Sequence, residues 1–348
     1  MQKKIITLLC CVSAVLFGSA QEKKLFQDVR LSGYGMVQYQ AQEKVDDNEN
    51  TFNLRLVRVA LDGRAHNSFA YKMQMQINGN TSEGSSAIRL VDLWGEWQKY
   101  SFLRVKAGQF KRPFTFENPM HPIAQGFMSY SQNVTKLAGF SDRTGEQASN
   151  GRDIGLQLQG DLLKLAGRPW LHYQVGVFNG EGINVKDKDN RKDIIGGLWV
   201  MPLEGLRIGA FGWTGHRHGV GNKNRYALSA EYAKDDWTFR SEYIHSQGMG
   251  KDATAGNKAD GVYALAIAPI QKKKFHVKAR YDLYRDMKTW GSAKIFYEVG
   301  ADYLFTPNLQ LNVEYARVNE RIYHQLYYTT GSMHHNYNMI DVQLDVRF

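Results

Sequence analysis

From about residue 28 onward, apolar and polar side chains alternate along most of the chain. Over 69–78, Phe69, Tyr71, Met73, Met75 and Ile77 share one face, and Lys72, Gln74, Gln76 and Asn78 share the other. Over 275–284, Phe275, Val277, Ala279, Tyr281 and Leu283 oppose His276, Lys278, Arg280, Asp282 and Tyr284. Over 340–348, Ile340, Val342, Leu344, Val346 and Phe348 oppose Asp341, Gln343, Asp345 and Arg347. A period of two is the signature of a strand whose faces meet different surroundings. An amphipathic helix would repeat at spacings of three and four instead. The same reading predicts strands over 28–40, 51–63, 87–98, 102–111, 151–161, 169–179, 191–201, 206–214, 224–234, 237–246, 259–269, 292–304 and 309–319, giving 16 in all. Within 51–63 the phase slips: Leu54 and Leu56 are out of step with Val57, Val59 and Leu61, and a bulge near Leu56 accounts for it.

The connections alternate as well. Short ones fall at 65–68, 99–101, 162–168, 202–205, 234–236, 270–274 and 305–308. Longer polar ones fall at 41–50, 80–86, 112–150, 180–190, 215–223, 247–258, 287–291 and 320–333. Short turns on one side and long loops on the other are the habit of outer-membrane strands. A sheet in hydrocarbon must close, because every backbone polar group needs an internal partner. Tilted strands of about 9–11 residues suffice to cross. The expected fold is therefore all-β: a transmembrane antiparallel β-barrel of 16 strands, a size that leaves an aqueous channel.

Composition agrees with that picture. Mean hydropathy is −0.46, yet aromatic residues make up 12% of the chain. No apolar run after residue 20 approaches the length of a spanning helix. Residues 1–20 read as a signal peptide: Lys3 and Lys4, an apolar stretch from Ile5 to Phe17, then Gly18-Ser19-Ala20 before Gln21. Residues 21–348 would be the barrel. Both cysteines, Cys10 and Cys11, leave with the leader, so no disulfide is expected. The net charge is +10. Export argues against nucleic acid as the basic chain's partner, and leaves an anion path or a membrane surface. The expected location is the outer membrane of a Gram-negative cell, with its lipid as a partner.

The basic residues fall on the inward face. Arg104 and Lys106 oppose Leu103, Val105 and Ala107, and Arg104 to Arg112 holds four basic residues and no acid. Lys278 and Arg280 also face inward by alternation. On the lipid face at the midplane each such charge costs about 2–4 kcal/mol, which favours the lumenal placement. A wet pore lined by Arg and Lys lowers the barrier for anions and raises it for cations. Asp92, Glu96, Asp282, Glu298 and Asp341 support the alternative, a general diffusion pore with a transverse field. An enzyme is not expected: there is no Gly-x-Ser-x-Gly elbow. Nor is a cofactor or metal: His216 with His218 and His334 with His335 come only as pairs. Asp187-Lys188-Asp189-Asn190 lacks the glycine and distal glutamate of a calcium loop.

One stretch carries a family resemblance. Leu103 to Glu117 contains Gly108-Gln109-Phe110-Lys111-Arg112-Pro113-Phe114-Thr115-Phe116-Glu117. It resembles the Gly-Gln-x-Lys-x-Pro-Phe-x-x-Glu signature of the phosphate-selective porin O/P family. Arg55 to Gly63, Val91-Asp92-Leu93-Trp94 and Gly151-Arg152-Asp153-Ile154-Gly155 resemble other segments of that family, in order. Phe348 resembles the aromatic C-terminus that barrel-insertion machinery recognises. The chain departs from the family in having Leu56 after Arg55, where paired arginines are common. The resemblance implies a homotrimer of 16-stranded barrels with long loop three folded into each pore. It implies small anions such as phosphate as the solutes, and Arg55, Arg58, Asp92, Lys111 and Arg112 as lining groups.

Overall fold

The computed structural model describes residues 26–43, 48–78, 88–140, 150–217, 221–248, 258–324 and 331–348. Residues 1–20, predicted as a leader, and Asp46, Asp47 and His218 lie outside the described residues. Sixteen strands run in chain order: β1 (Phe26–Glu43), β2 (Asn48–Ala65), β3 (Phe69–Gln76), β4 (Arg89–Tyr100), β5 (Leu103–Lys111), β6 (Arg152–Leu165), β7 (Arg168–Phe178) and β8 (Asp193–Val200), followed by β9 (Leu206–Arg217), β10 (Gly221–Lys234), β11 (Trp237–Gln247), β12 (Lys258–Gln271), β13 (Phe275–Arg285), β14 (Ala293–Thr306), β15 (Leu309–His324) and β16 (Gly331–Arg347). Each pairs antiparallel with its sequence neighbours, and β1 pairs with β16 to close the barrel. At that seam Gly33 and Phe348 exchange backbone hydrogen bonds of 2.9 and 3.0 Å.

The barrel is an inside-out protein, as the alternation requires. On β3, Phe69, Met73 and nearby Ile77 face outward and are exposed, while Gln74 and Gln76 are buried inside. On β16, Ile340 and Val346 are exposed, while Asp341, Gln343 and Asp345 are buried. On β13, Lys278, Arg280 and Asp282 are buried and Val277 is exposed. The phase slip in β2 is a bulge: Met36 pairs with Leu56 but Val37 with Leu54, so Arg55 is the extra residue. Near the short turns, Trp97, Tyr100 and Phe102 pack ring on ring, as do Trp237 with Phe239 and Tyr303 with Phe305. These form an interfacial aromatic girdle.

Three hairpins are longer than predicted: β1 runs to Glu43 and β2 begins at Asn48, β9 runs to Arg217 and β10 begins at Gly221, and β15 runs to His324 and β16 begins at Gly331, so much of 41–50, 215–223 and 320–333 is strand. Trp94, Trp199 and Trp213 stand apart from the girdle. Trp94 lines the lumen. Trp213 is buried in a cluster with Phe114 and Phe211, with Trp199 packed against it.

That cluster forms where the described part of loop three, between β5 and β6, packs against the inward face of the wall. Its residues 112–118 are buried. A short helix, α1 (Gln132–Leu137), is capped by the Ser131 side chain and has Gln132, Asn133, Val134 and Leu137 buried. The Glu117 carboxylate accepts from the backbone N–H and hydroxyl of Ser131, so it folds the loop on itself.

Candidate functional site: the pore constriction

The inward face of β10 to β15 grips loop three. The Glu242 carboxylate accepts from the N–H groups of Phe116 and Glu117 at 2.9 and 2.8 Å. Glu314 accepts from Met128 N–H and Asp282 from Gln132 N–H, each at 2.8 Å. In the other direction, Arg225, Arg240, Lys278 and Arg280 donate to the carbonyls of Leu137, Gln125, Gly126 and Ser129 at 2.7 to 3.0 Å. Hydrogen bonds with one ionised partner are worth about 1.5–3 kcal/mol each, so the loop is firmly fixed to this wall. Three of the cations are themselves neutralised: Arg240 by Glu231 (2.5 Å), Lys278 by Glu314 (2.6 Å) and Arg280 by Glu298 (2.5 Å).

The opposite wall, β2 to β5, is charged differently. Among the described residues, no carboxylate lies within 4.0 Å of Arg55, Arg58, Lys72, Lys106 or Lys111. Arg55 donates to Gln343 at 3.1 Å. Arg58 donates to Gln76 and to the Tyr34 hydroxyl at 3.1 to 3.2 Å. Lys106 holds its ammonium 3.9 Å from the centre of the Trp94 ring, a cation–π contact. Lys111 donates to the Met120 carbonyl (2.5 Å) and the Tyr130 hydroxyl (2.7 Å). Burial pushes the Tyr130 hydroxyl above its ordinary range, so it stays protonated and donates in turn to Met120.

Between this wall and the loop lies a cavity of about 290 Å³. Lys72, Gln74, Asp92, Trp94, Lys106, Lys111, Arg152, Gln157, Gln159 and Gln174 face it from the barrel, and Pro113, Pro119, Met120, His121 and Pro122 face it from the loop. Among the described residues, the loop's side of the cavity carries no carboxylate: Glu117 is turned away and wholly buried. Asp92, the cavity's acid, is held by both Nε and Nη2 of Arg152 at 2.8 and 3.0 Å. His121 sets its ring edge-on to Tyr34, centres 4.6 Å apart. Its pKa is lowered to about 4 by burial and by Lys72, Lys111, Arg58 and Arg347, so it is neutral at neutral pH.

The residues singled out from the sequence fall into two groups. Arg55, Arg58, Asp92, Lys106 and Lys111 lie on the β2–β5 wall, Asp92 and the two lysines on the cavity itself. The others serve elsewhere. Arg104 pairs with Asp161 at 3.2 Å. Arg112 is fully buried against Asp153 (2.9 Å) and the Gly139 carbonyl, at the root of the loop. Lys278 and Arg280 clamp the loop. Lys72, Arg152, His121 and the four glutamines were not singled out, although Lys72 and Gln74 already stood on the inward face of β3. Glu181 joins Asp187 and Asp189 in an acidic group in the loop after β7. Lys188 and Lys192 pair with it.

Comparison with known proteins supports the architecture. Three solved structures share the fold. The anion-selective porin from Comamonas acidovorans superposes with a TM-score of 0.68 at 13% identity, covering 92% of this chain and 99% of that one. OmpF of Salmonella typhi in complex with daunomycin gives 0.67 at 11% identity, covering 92% and 97%. OmpT of Vibrio cholerae in its trimer form gives 0.58 at 11% identity, covering 92% and 99%. No curated protein sequence matches the chain. The family model of phosphate-selective porins O and P matches residues 30–188, the stretch that holds β1 to β7, the signature and the root of loop three. Over that stretch the chain is similar to the phosphate-selective porin O and P family, and as a whole it folds as the closed 16-stranded barrel seen in Gram-negative outer-membrane porins.

Proposed function

We propose that the protein is a passive diffusion channel for small hydrophilic solutes that prefers anions. One observation carries the reading: among the described residues, Lys72, Lys106 and Lys111 face the constriction with no carboxylate within 4.0 Å, and loop three turns proline, methionine and neutral histidine toward them. An anion there meets fixed positive charge in a wet, narrow passage. The solved anion-selective porin of Comamonas acidovorans shares the barrel. The lining groups are Arg55, Arg58, Lys72, Lys106 and Lys111, with inorganic phosphate among the ions that would pass. The functional unit is a homotrimer, as the trimer form of OmpT suggests by analogy of fold.

A second reading has an observation of its own. Asp341 and Asp345 face the lumen from β16, held by Gln38, Gln40, Gln343 and Asn312, with no cation within 4.0 Å among the described residues. Acids on one wall and bases on the other would give a transverse field and a general porin with little selectivity. Reversal potentials of the purified protein in planar bilayers, across a potassium chloride gradient, separate the two. Chloride preference is expected. Equal permeation supports the general porin, and potassium preference overturns the proposal.

A further inference from the structure

The cavity at the constriction has features that bare positive charge does not explain. Gln74 and Gln174 are 4% and 9% exposed, and both line it. Neither side-chain amide makes a hydrogen bond to the protein among the described residues. Neither amide is among the fully enclosed polar atoms without a partner, so both are open to the cavity and available to the water or solute in it. Each offers an acceptor oxygen as well as donors. The one arginine here, Arg152, has two of its donors committed to Asp92 and a third to the Asn150 carbonyl. The paired fork that suits a phosphate is therefore already used. What remains for an anion is the two lysines Lys72 and Lys106, which act as point charges. Across from them, Pro119, Met120 and Pro122 form an apolar wall.

We infer, building on the anion-channel reading, that this cavity is a weak binding site for small organic carboxylates that carry an amide or hydroxyl and an apolar face. The carboxylate lies between Lys72 and Lys106. The amide or hydroxyl meets Gln74 and Gln174, and the hydrocarbon lies along the proline–methionine wall. Inorganic phosphate engages the lysines but leaves the apolar wall bare. Each contact is modest, so the solute is held and then released, as conduction requires.

The test uses the full-length porin in planar bilayers, carrying chloride current. Hippurate supplies a carboxylate, an amide and a ring; benzoate lacks the amide; inorganic phosphate lacks both amide and ring. Hippurate should reduce the current saturably, with half-block at a concentration about tenfold or more below that of benzoate or phosphate. The double variant Gln74→Ala/Gln174→Ala should raise the hippurate half-block roughly tenfold or more, as expected for two lost hydrogen bonds. Heat-modifiable gel mobility confirms that the variant barrel is folded; a single variant replaces it if it is not. Phosphate blocking as well as hippurate, or an unmoved half-block in the variant, overturns the inference. If the wild-type channel prefers chloride but hippurate never saturates, this inference fails alone. If the channel prefers potassium, the anion reading fails first.

Discussion

Reversing one charge at the constriction is the most direct test of its electrostatics. Lys106 is the residue to change: it lines the cavity, has no carboxylate within 4.0 Å among the described residues, and holds no loop backbone. Lys106→Glu therefore breaks no ion pair; it costs the cation–π contacts with Trp94 and Phe110, about 0.5–1 kcal/mol each or somewhat more where desolvated, and sets an acid across from Glu96 on β4. In a water-filled passage, a monovalent ion about 6 Å from the ammonium feels about 0.7 kcal/mol of interaction. Salt at about 0.1 M screens that to about 0.4 kcal/mol. Going from +1 to −1 doubles the change to about 0.8 kcal/mol, between threefold and fourfold for chloride. Potassium gains by the same factor, so the permeability ratio should move by roughly tenfold toward the cation. The assay is the reversal potential in a potassium chloride gradient, with heat-modifiable mobility as the control for folding. A folded variant whose ratio moves less than about twofold would refute the placement of Lys106 at the rate-limiting point.

Three further outcomes follow from the same geometry. Removing the Arg104–Asp161 pair as a unit, Arg104→Gln with Asp161→Asn, should leave the permeability ratio within about twofold of wild type, because the pair carries no net charge; a shift as large as that of Lys106→Glu would contradict the pairing. His121, with its pKa lowered to about 4 beside Tyr34, Arg58, Lys72, Lys111 and Arg347, should produce no step in selectivity near its ordinary value of 6.5. Its share of loop docking is complete above 6.5 and is lost as pH falls toward 4, so an inflection near 6.5 that vanishes in His121→Asn would sink this reading. Glu242→Ala removes the acceptor for two loop N–H groups and should loosen loop three by about 3–6 kcal/mol, read as greater open-channel noise in single-channel records; a quiet channel would show that the other wall contacts suffice.

The barrel was legible because its code is short-range. Successive side chains meet lipid and water in turn, so residues 69–78 or 340–348 declare their faces without help from any other strand. Even the slip at Arg55 shows as a break in the alternation. The constriction was harder, because its charges are assigned by partners far away in the chain. Arg104, Lys106, Arg112, Lys278 and Arg280 look alike in sequence. They differ only in whether Asp161, Asp153, Glu314 or Glu298 stands beside them, and in whether the loop covers them. Tryptophan is ambiguous for a related reason. It suits an interface, a lumen or a core equally, and only the path of loop three sends Trp213 to one and Trp94 to another. Gly108 in the signature is a structural residue that can be explained afterwards: its φ is +127°, and a Cβ there would sit 2.2 Å from the Leu93 carbonyl oxygen.

The seam between β1 and β16 sets a condition on biogenesis. It aligns Tyr34 with Arg347, so nearly the entire polypeptide must be available before the cylinder can seal. Contacts so distant in the chain form late and slowly. Until they do, the edges of β1 and β16 and the greasy outward faces of strands such as β3 and β13 are bare, and an aqueous periplasm is a hazardous place to wait. Escort by holding chaperones, and delivery to the bilayer as one whole ribbon, follow from where the two ends of the sheet meet.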